Sequence, residues 1–313
     1  MERRNFVKKT MAIGFFSLAA SRVLLGSSQN INREKDTWDG AKHNFKLKFA
    51  PHFGMFKNHA GEDFLDQIQF MADVGFRAME DNGMKGRTKE VQEKIASKMV
   101  NLGMDMGVFV AHQIYWKEPN LTSGSEDKRE EFLKDIRDSV EVAKRVNAKW
   151  MTVVPGHVDL RKKIEYQTAN VVESLKRASE ILEPHGFVMV LEPLNFYNHP
   201  GLFLERIPQA YEVCKAVDSP ACKILDDLYH QQITEGNLIP NMNTAWDEIA
   251  YFQIGDNPGR KEPTTGEINY RNVFKYIYDR GFKGILGMEH GNSLPGKEGE
   301  LALIEAYKKV DDF

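Results

Sequence analysis

A chain of 313 residues, 42% hydrophobic and 28% charged, can bury a full core, and its ordinary balance excludes a disordered or fibrous protein. The formal net charge of −3 excludes a sequence-wide basic field of the kind that binds nucleic acid or anionic membranes. Two cysteines, Cys214 and Cys222, are too few for a disulfide scaffold or a thiolate metal cluster, and read as free, mostly buried thiols.

Residues 1–28, MERRNFVKKTMAIGFFSLAASRVLLGSS, carry a basic head (Arg3, Arg4, Lys8, Lys9), an apolar stretch from Met11 to Ala20, and then small residues. That is the layout of a cleavable export signal, and the apolar stretch is too short to span a bilayer. The adjacent arginines with Phe6 and Lys8 resemble a twin-arginine signal, which implies export to the periplasm as a folded protein. A basic amphipathic helix is the structural alternative. Removing the segment takes away five basic residues and one acidic one, leaving a more acidic chain with no membrane anchor. Residues 29–43 are polar and read as a linker, and 44–313 as a single catalytic domain.

From residue 45 onward, short apolar runs alternate with longer amphipathic segments. FKLKFA (45–50) reads as the first strand. In EDFLDQIQFMADVG, Phe64, Leu65, Ile68, Met71 and Ala72 recur at helical steps. FRAME (76–80) and MGVFVA (106–111) follow as strands, and Phe132, Ile136, Val140 and Ala143 mark the next helix. KWMTVVP (149–155) precedes the helix NVVESLKRASEILEPHG. The remaining strands are FVMVLE (187–192), CKILDD (222–227), IAYFQIG (249–255) and GILGMEH (284–290). Gly75, Gly103, Gly186 and Gly281 stand between helix and strand, where a left-handed helix terminus favours glycine. Eight strand–helix units in about 270 residues match an α/β fold of the (β/α)8 TIM barrel type. A doubly wound sheet shares the alternation, but APHFGMFKNHAG after the first strand lacks the G-x-G-x-x-G spacing.

In such a barrel, chemistry belongs at the C-terminal strand ends. Strand five ends in Glu192, strand six in Asp226 and Asp227, strand seven carries Gln253, and strand eight ends in Glu289. Three carboxylates and an amide on one rim suit a divalent ion such as Mg2+ or Mn2+, since unpaired carboxylates repel one another. One of the two aspartates is accounted for by a helix cap. His230 lies three residues beyond Asp227. The long loop IGDNPGRKEPTTGEINY (254–270) reads as a lid or binding loop, with Arg260 offering a fork for a carboxylate or phosphate. His52, His112 and His157 end strands one, three and four and are expected to line the substrate end. Trp116 and Trp246 are candidates to cover the cavity or a subunit contact, which leaves a homo-oligomer open.

LEPLN, DLYHQQ, FQIGDNPGRKEPTTGEINY and GMEH resemble the hydroxypyruvate isomerase family, within the xylose-isomerase-like barrels that also include ketose 3-epimerases. The resemblance is densest from 187 to 291; residues 45–186 match only in layout. It implies that Glu192, Asp227, Gln253 and Glu289 hold one divalent metal, and it selects Asp227 over Asp226. It also implies that Glu192 and Glu289 move protons on opposite sides of the substrate, and that His230 and Arg260 touch substrate. Gln253 stands where the epimerase relatives carry His, which favours the isomerase branch. The ending MEHGNSLPGKEGE departs from the intracellular isomerases, and an export signal is unusual among them.

The implied chemistry is proton transfer next to a carbonyl, through an enediolate, on hydroxypyruvate or a small sugar or sugar acid. Ketose 3-epimerase is the neighbouring alternative. An endonuclease IV-like phosphodiesterase shares the barrel but needs a histidine-rich three-zinc cluster, and the chain has nine His in all. A non-catalytic periplasmic sugar-binding barrel would not need two facing bases.

Overall fold

The computed structural model describes residues 38–313; the expected export segment and residues 29–37 of the expected linker lie outside the described residues. Eight strands follow in chain order: β1 Phe49–Ala50, β2 Ala78–Met79, β3 Asp105–Met106, β4 Trp150–Val153, β5 Val188–Leu191, β6 Cys222–Asp227, β7 Ile249–Gln253 and β8 Leu286–Gly287. Each overlaps a run expected from the sequence. The helices are α1 Lys57–Ala60, α2 Phe64–Val74, α3 Lys89–Asn101, α4 Glu126–Val146, α5 Ile164–Leu182, α6 Ile207–Val217, α7 Leu228–Thr234, α8 Leu238–Ala245, α9 Tyr270–Asp279 and α10 Gly296–Val310.

Closure decides between the two expected architectures. The last strand pairs in parallel with the first, Phe49 opposite Leu286 and Ala50 opposite Gly287, which an open doubly wound sheet cannot do. From there the ladder runs β8–β7–β6–β5–β4, with β2–β3 as a separate pair. Single parallel bridges complete the ring, His52 to Glu80 between β1 and β2, and Met106 to Ala148 and Val110 to Thr152 between β3 and β4. The fold is a TIM barrel. The first ladder is shorter than FKLKFA because the Lys46 and Leu47 amides donate to the Asp311 carboxylate, not to a neighbouring strand.

Alternation along each strand sorts two cores. Ala50, Ala78, Val108, Val190, Leu225 and Tyr251 fill the barrel interior. Phe49, Met79, Met151, Leu191, Ile224 and Phe252 pack outward beneath the helices. There they meet the periodic faces of α2 (Ile68, Met71, Ala72) and α4 (Phe132, Ile136, Val140, Ala143). Cys214 and Cys222 are buried free thiols in this outer core. No helix among the described residues is long and apolar enough to cross a membrane.

The end of the expected linker is docked. Trp38 meets Phe70 edge-on at 5.3 Å, and the His43 amide donates to the Val74 carbonyl at 2.8 Å. This approach depends on Gly75, at φ 117°, where an added Cβ would lie 1.9 Å from the His43 carbonyl oxygen. A Gly75→Ala change therefore meets both a strained backbone and a main-chain clash. It is expected to lower stability by more than about 1 kcal/mol in urea unfolding; an unchanged midpoint would contradict this contact.

Candidate active site

The same alternation builds the rim. Leu225 points into the barrel, so Asp227 does too, while Asp226 is in phase with the outward Ile224. Tyr251 inside puts Gln253 inside, Val190 puts Glu192 inside, and Ala78 puts Glu80 inside. Register keeps these ends level: Asp227 lies opposite Gln253, and Gln253 opposite Gly287, two residues before Glu289.

Asp227 serves two purposes at once. Its Oδ1 caps α7 by accepting from the amides of Tyr229 (2.8 Å) and His230 (3.2 Å), while Oδ2 accepts from Arg260 Nη2 at 2.7 Å. The same guanidinium nitrogen lies 3.1 Å from Glu289 Oε2, so one cation stands between two carboxylates. Glu192 Oε1 lies 3.8 Å from His230 Nε2, which is 3.6 Å from Asp227 Oδ2. Asn82 donates to the other oxygen of Glu289 at 3.2 Å.

Arg260 is carried by the loop after β7, which is knitted down along its length. The buried Asp256 carboxylate accepts from the amides of Asn257, Gly266 and Ile268. Glu262 accepts from the Ser293 amide at 2.8 Å, joining this loop to the one after β8. The segment expected as a lid or binding loop thus holds Arg260 over the rim, with its guanidinium above the Tyr229 ring at 5.0 Å.

His230 reaches the site as a donor. Its Nδ1 accepts from the Asn195 amide (3.2 Å) and from Asn195 Nδ2 (2.6 Å), which leaves the ring proton on Nε2, facing Glu192 and Asp227. Burial pushes the ring down to about 4, so it is neutral at physiological pH. His230, Glu192 and Asp227 lie close enough to share an ion, the one such His/Cys/Asp/Glu group among the described residues. This tautomer nevertheless offers the site a proton, not a lone pair. Asn195, in the LEPLN stretch, was not singled out by sequence reasoning, nor was Glu80.

The other expected residues separate. His52 lines a cavity of about 310 Å3 with Glu80, Asn82, Arg87 and Glu289, its Nε2 3.2 Å from the His290 carbonyl oxygen. His157 and Trp116 line a neighbouring cavity of about 420 Å3 with Asn198 and His199, and Trp116 stacks on His199 at 5.3 Å. His112 is buried edge-on against Phe132, its Nε2 accepting from the Val154 amide and its Nδ1 left without a partner. Trp246 likewise packs against Phe252, Tyr276 and Phe282 of the outer layer rather than over a cavity.

Burial first, then Glu289 and Asp227, holds the Glu192 carboxyl well above the usual range. Burial also pushes Glu289 up to about 7, against the opposing pull of Arg260. One guanidinium does not balance three carboxylates, and buried atoms at the rim lack hydrogen-bond partners: Gln253 Oε1, Glu289 Oε2 and His230 Nε2. Glu192 and Asp227 are the oxygen donors that lie within reach of one ion, and Gln253 and Glu289 add oxygens at the next strand ends, a donor type that would suit Mg2+ or Mn2+. Among the described residues there is no histidine-rich cluster of the kind a three-zinc phosphodiesterase needs.

Comparison with known proteins agrees with this architecture. The family description "Xylose isomerase-like TIM barrel" matches residues 68–310. Hydroxypyruvate isomerase of Escherichia coli (strain K12) is 33% identical over 163 residues, 52% of this chain and 63% of the relative's length. The 2-oxo-tetronate isomerase of Cupriavidus necator is 27% identical over 245 residues, 78% of this chain and 92% of its own. A crystal structure from Brucella melitensis described as an AP endonuclease, family 2, superposes with a TM-score of 0.71 at 24% identity. The match covers 81% of this chain and 96% of that one, and shows the shared fold. With a closed parallel barrel and a family match over most of its length, the chain belongs to the xylose isomerase-like TIM barrel family.

Proposed function

We propose that this protein is a metal-dependent isomerase that moves a proton from the carbon next to a carbonyl onto the carbonyl carbon itself, through an enediolate, on hydroxypyruvate or a small sugar or sugar acid. The observation that carries the reading is the convergence of Glu192, Asp227, Gln253 and Glu289 on one rim with a single guanidinium to balance them. Similarity to enzymes named hydroxypyruvate isomerase and 2-oxo-tetronate isomerase supports the substrate class, a hydroxy-carbonyl compound bearing a carboxylate.

A divalent cation held by Glu192, Asp227, Gln253 and Glu289 would supply Lewis acidity that lowers the cost of negative charge developing on the substrate oxygens. The remaining work belongs to side chains. Without a cation, burial raises the proton affinity of Glu192, and that of Glu289 to about 7; with one bound, both would fall, leaving carboxylates free to take and return a proton. One carboxylate removes the α-proton; return to the adjacent carbon isomerises, whereas return to the opposite face of the same carbon epimerises. His230 Nε2–H donates to a substrate oxygen, and Arg260 pairs with the substrate carboxylate.

In deuterated water with Mn2+ and hydroxypyruvate or small ketoses, the wild-type protein should place deuterium in the substrate. The carbon that is labelled tells isomerase from epimerase. Glu289→Gln should slow the exchange by about 10²-fold or more; undiminished exchange would remove Glu289 from proton transfer.

Stability should report the cation independently of turnover. Carboxyls whose folded-state values are raised contribute fully below their ordinary value of 4.5, and the contribution fades as pH rises through about 7. In EDTA the melting temperature should therefore fall between roughly pH 5 and pH 8, and Mn2+ or Mg2+ should restore it most at the upper end. A cation effect that is absent, or equal at every pH, contradicts the ligand set.

For the segment outside the described residues, we propose twin-arginine export to the periplasm. Arg3→Lys combined with Arg4→Lys should retain a reporter fused behind residues 1–28 in the cytoplasm; continued export would refute that reading.

A further inference from the structure

Glu80, the residue after β2, lies inside the barrel and is 1% exposed. Tyr251 Oη donates to its Oε2 at 2.8 Å, and Gln253 Nε2 donates to its Oε1 at 3.3 Å. Tyr251 is itself tethered, since its oxygen accepts from the Val108 amide at 3.3 Å. The barrel makes room for this carboxylate on two sides. A Cβ on Gly287 would lie 1.9 Å from Glu80 Oε2, and one on Gly107 would lie 2.4 Å from Tyr251 Oη and 2.9 Å from Glu80 Cβ. Two strands therefore carry glycine where any larger residue would displace a buried acid.

We propose that Glu80 is a positioning residue that holds the Gln253 amide with its oxygen facing the rim. An amide has two ends of nearly equal size, and packing alone does not choose between them. Both Glu80 oxygens accept here, Oε2 from the Tyr251 hydroxyl and Oε1 from the NH2 end of Gln253, although burial and Glu289 raise the proton affinity of Glu80. The amide therefore turns its own Oε1 away, and that Oε1 is the buried atom left without a partner. With the amide reversed, the rim would present N–H donors, which cannot ligate a cation. Glu80 thus does for an amide what an outer-shell carboxylate does for a metal-bound imidazole. The inference rests on the metal site proposed above.

The test is Mn2+ binding to the metal-free protein by calorimetry, with no substrate present. Glu80→Gln keeps the volume but offers Gln253 no exclusive acceptor, and should weaken Mn2+ binding about 10- to 100-fold. In a Gln253→Ala background the same change should cost nothing further, because the residue through which Glu80 acts is gone. A structural role alone predicts the opposite: equal losses in both backgrounds, tracking a lower melting temperature of the metal-free protein. If Glu80→Gln does not fold, Glu80→Asp keeps the charge while withdrawing it from Gln253, and should show the same loss and the same non-additivity. Wild-type affinity in either folded variant, or additive losses, overturns the proposal. Failure of the wild-type protein to bind Mn2+ overturns the metal site itself, and this inference with it.

Discussion

Like charges sharing a buried rim must be balanced by protons or by cations, and at neutral pH few arrangements satisfy that demand. Here the buried Glu192 and Asp227 come together with the half-buried Glu289, and Arg260 stands between two of them. The cost shows in the raised proton affinities of Glu192 and Glu289, which burial dominates. Such a cluster is unfavourable for folding, and strongly perturbed carboxyls gathered at one rim are what the proposed proton transfer draws on.

The barrel imposes that crowding. Closure through β1 and β8 brings the ends of all the strands to one circle, and the pleat sends alternate residues inward. Once Leu225 and Tyr251 fill the interior, Asp227 and Gln253 must follow two positions later. The loop after β7 then lays Arg260 across the opening, held by the amide contacts of Asp256 and by the link from Glu262 to Ser293. Site and scaffold are the same set of constraints seen at two heights of the barrel.

Much of this was legible in the chain. Short apolar runs marked every strand, four of them announced by Gly75, Gly103, Gly186 and Gly281, and the three- and four-residue steps marked the buried faces of α2 and α4. The choice of Asp227 over Asp226 came from a resemblance, although strand phase gives the same answer: Asp227 is two residues from an inward Leu225. Glu80 has no local signature, because FRAME by itself reads only as a strand. Its interior position follows only from being in phase with Ala78. The burial of His112 against Phe132 was equally hidden, since a histidine at a strand end looks the same in sequence whether it faces a cavity or packs on a ring.

The sequence by itself determined the alternation of strands and helices, the acids at the strand ends and the loop that carries Arg260, because periodicity and composition are local properties. Tertiary structure alone decided that β8 closes on β1, that Arg260 stands between Asp227 and Glu289, that Asn195 assigns the His230 proton, and that Glu80 lies under Gln253. Each of these joins residues far apart in the chain, and a contact of that kind has no local signature until the barrel brings its ends together.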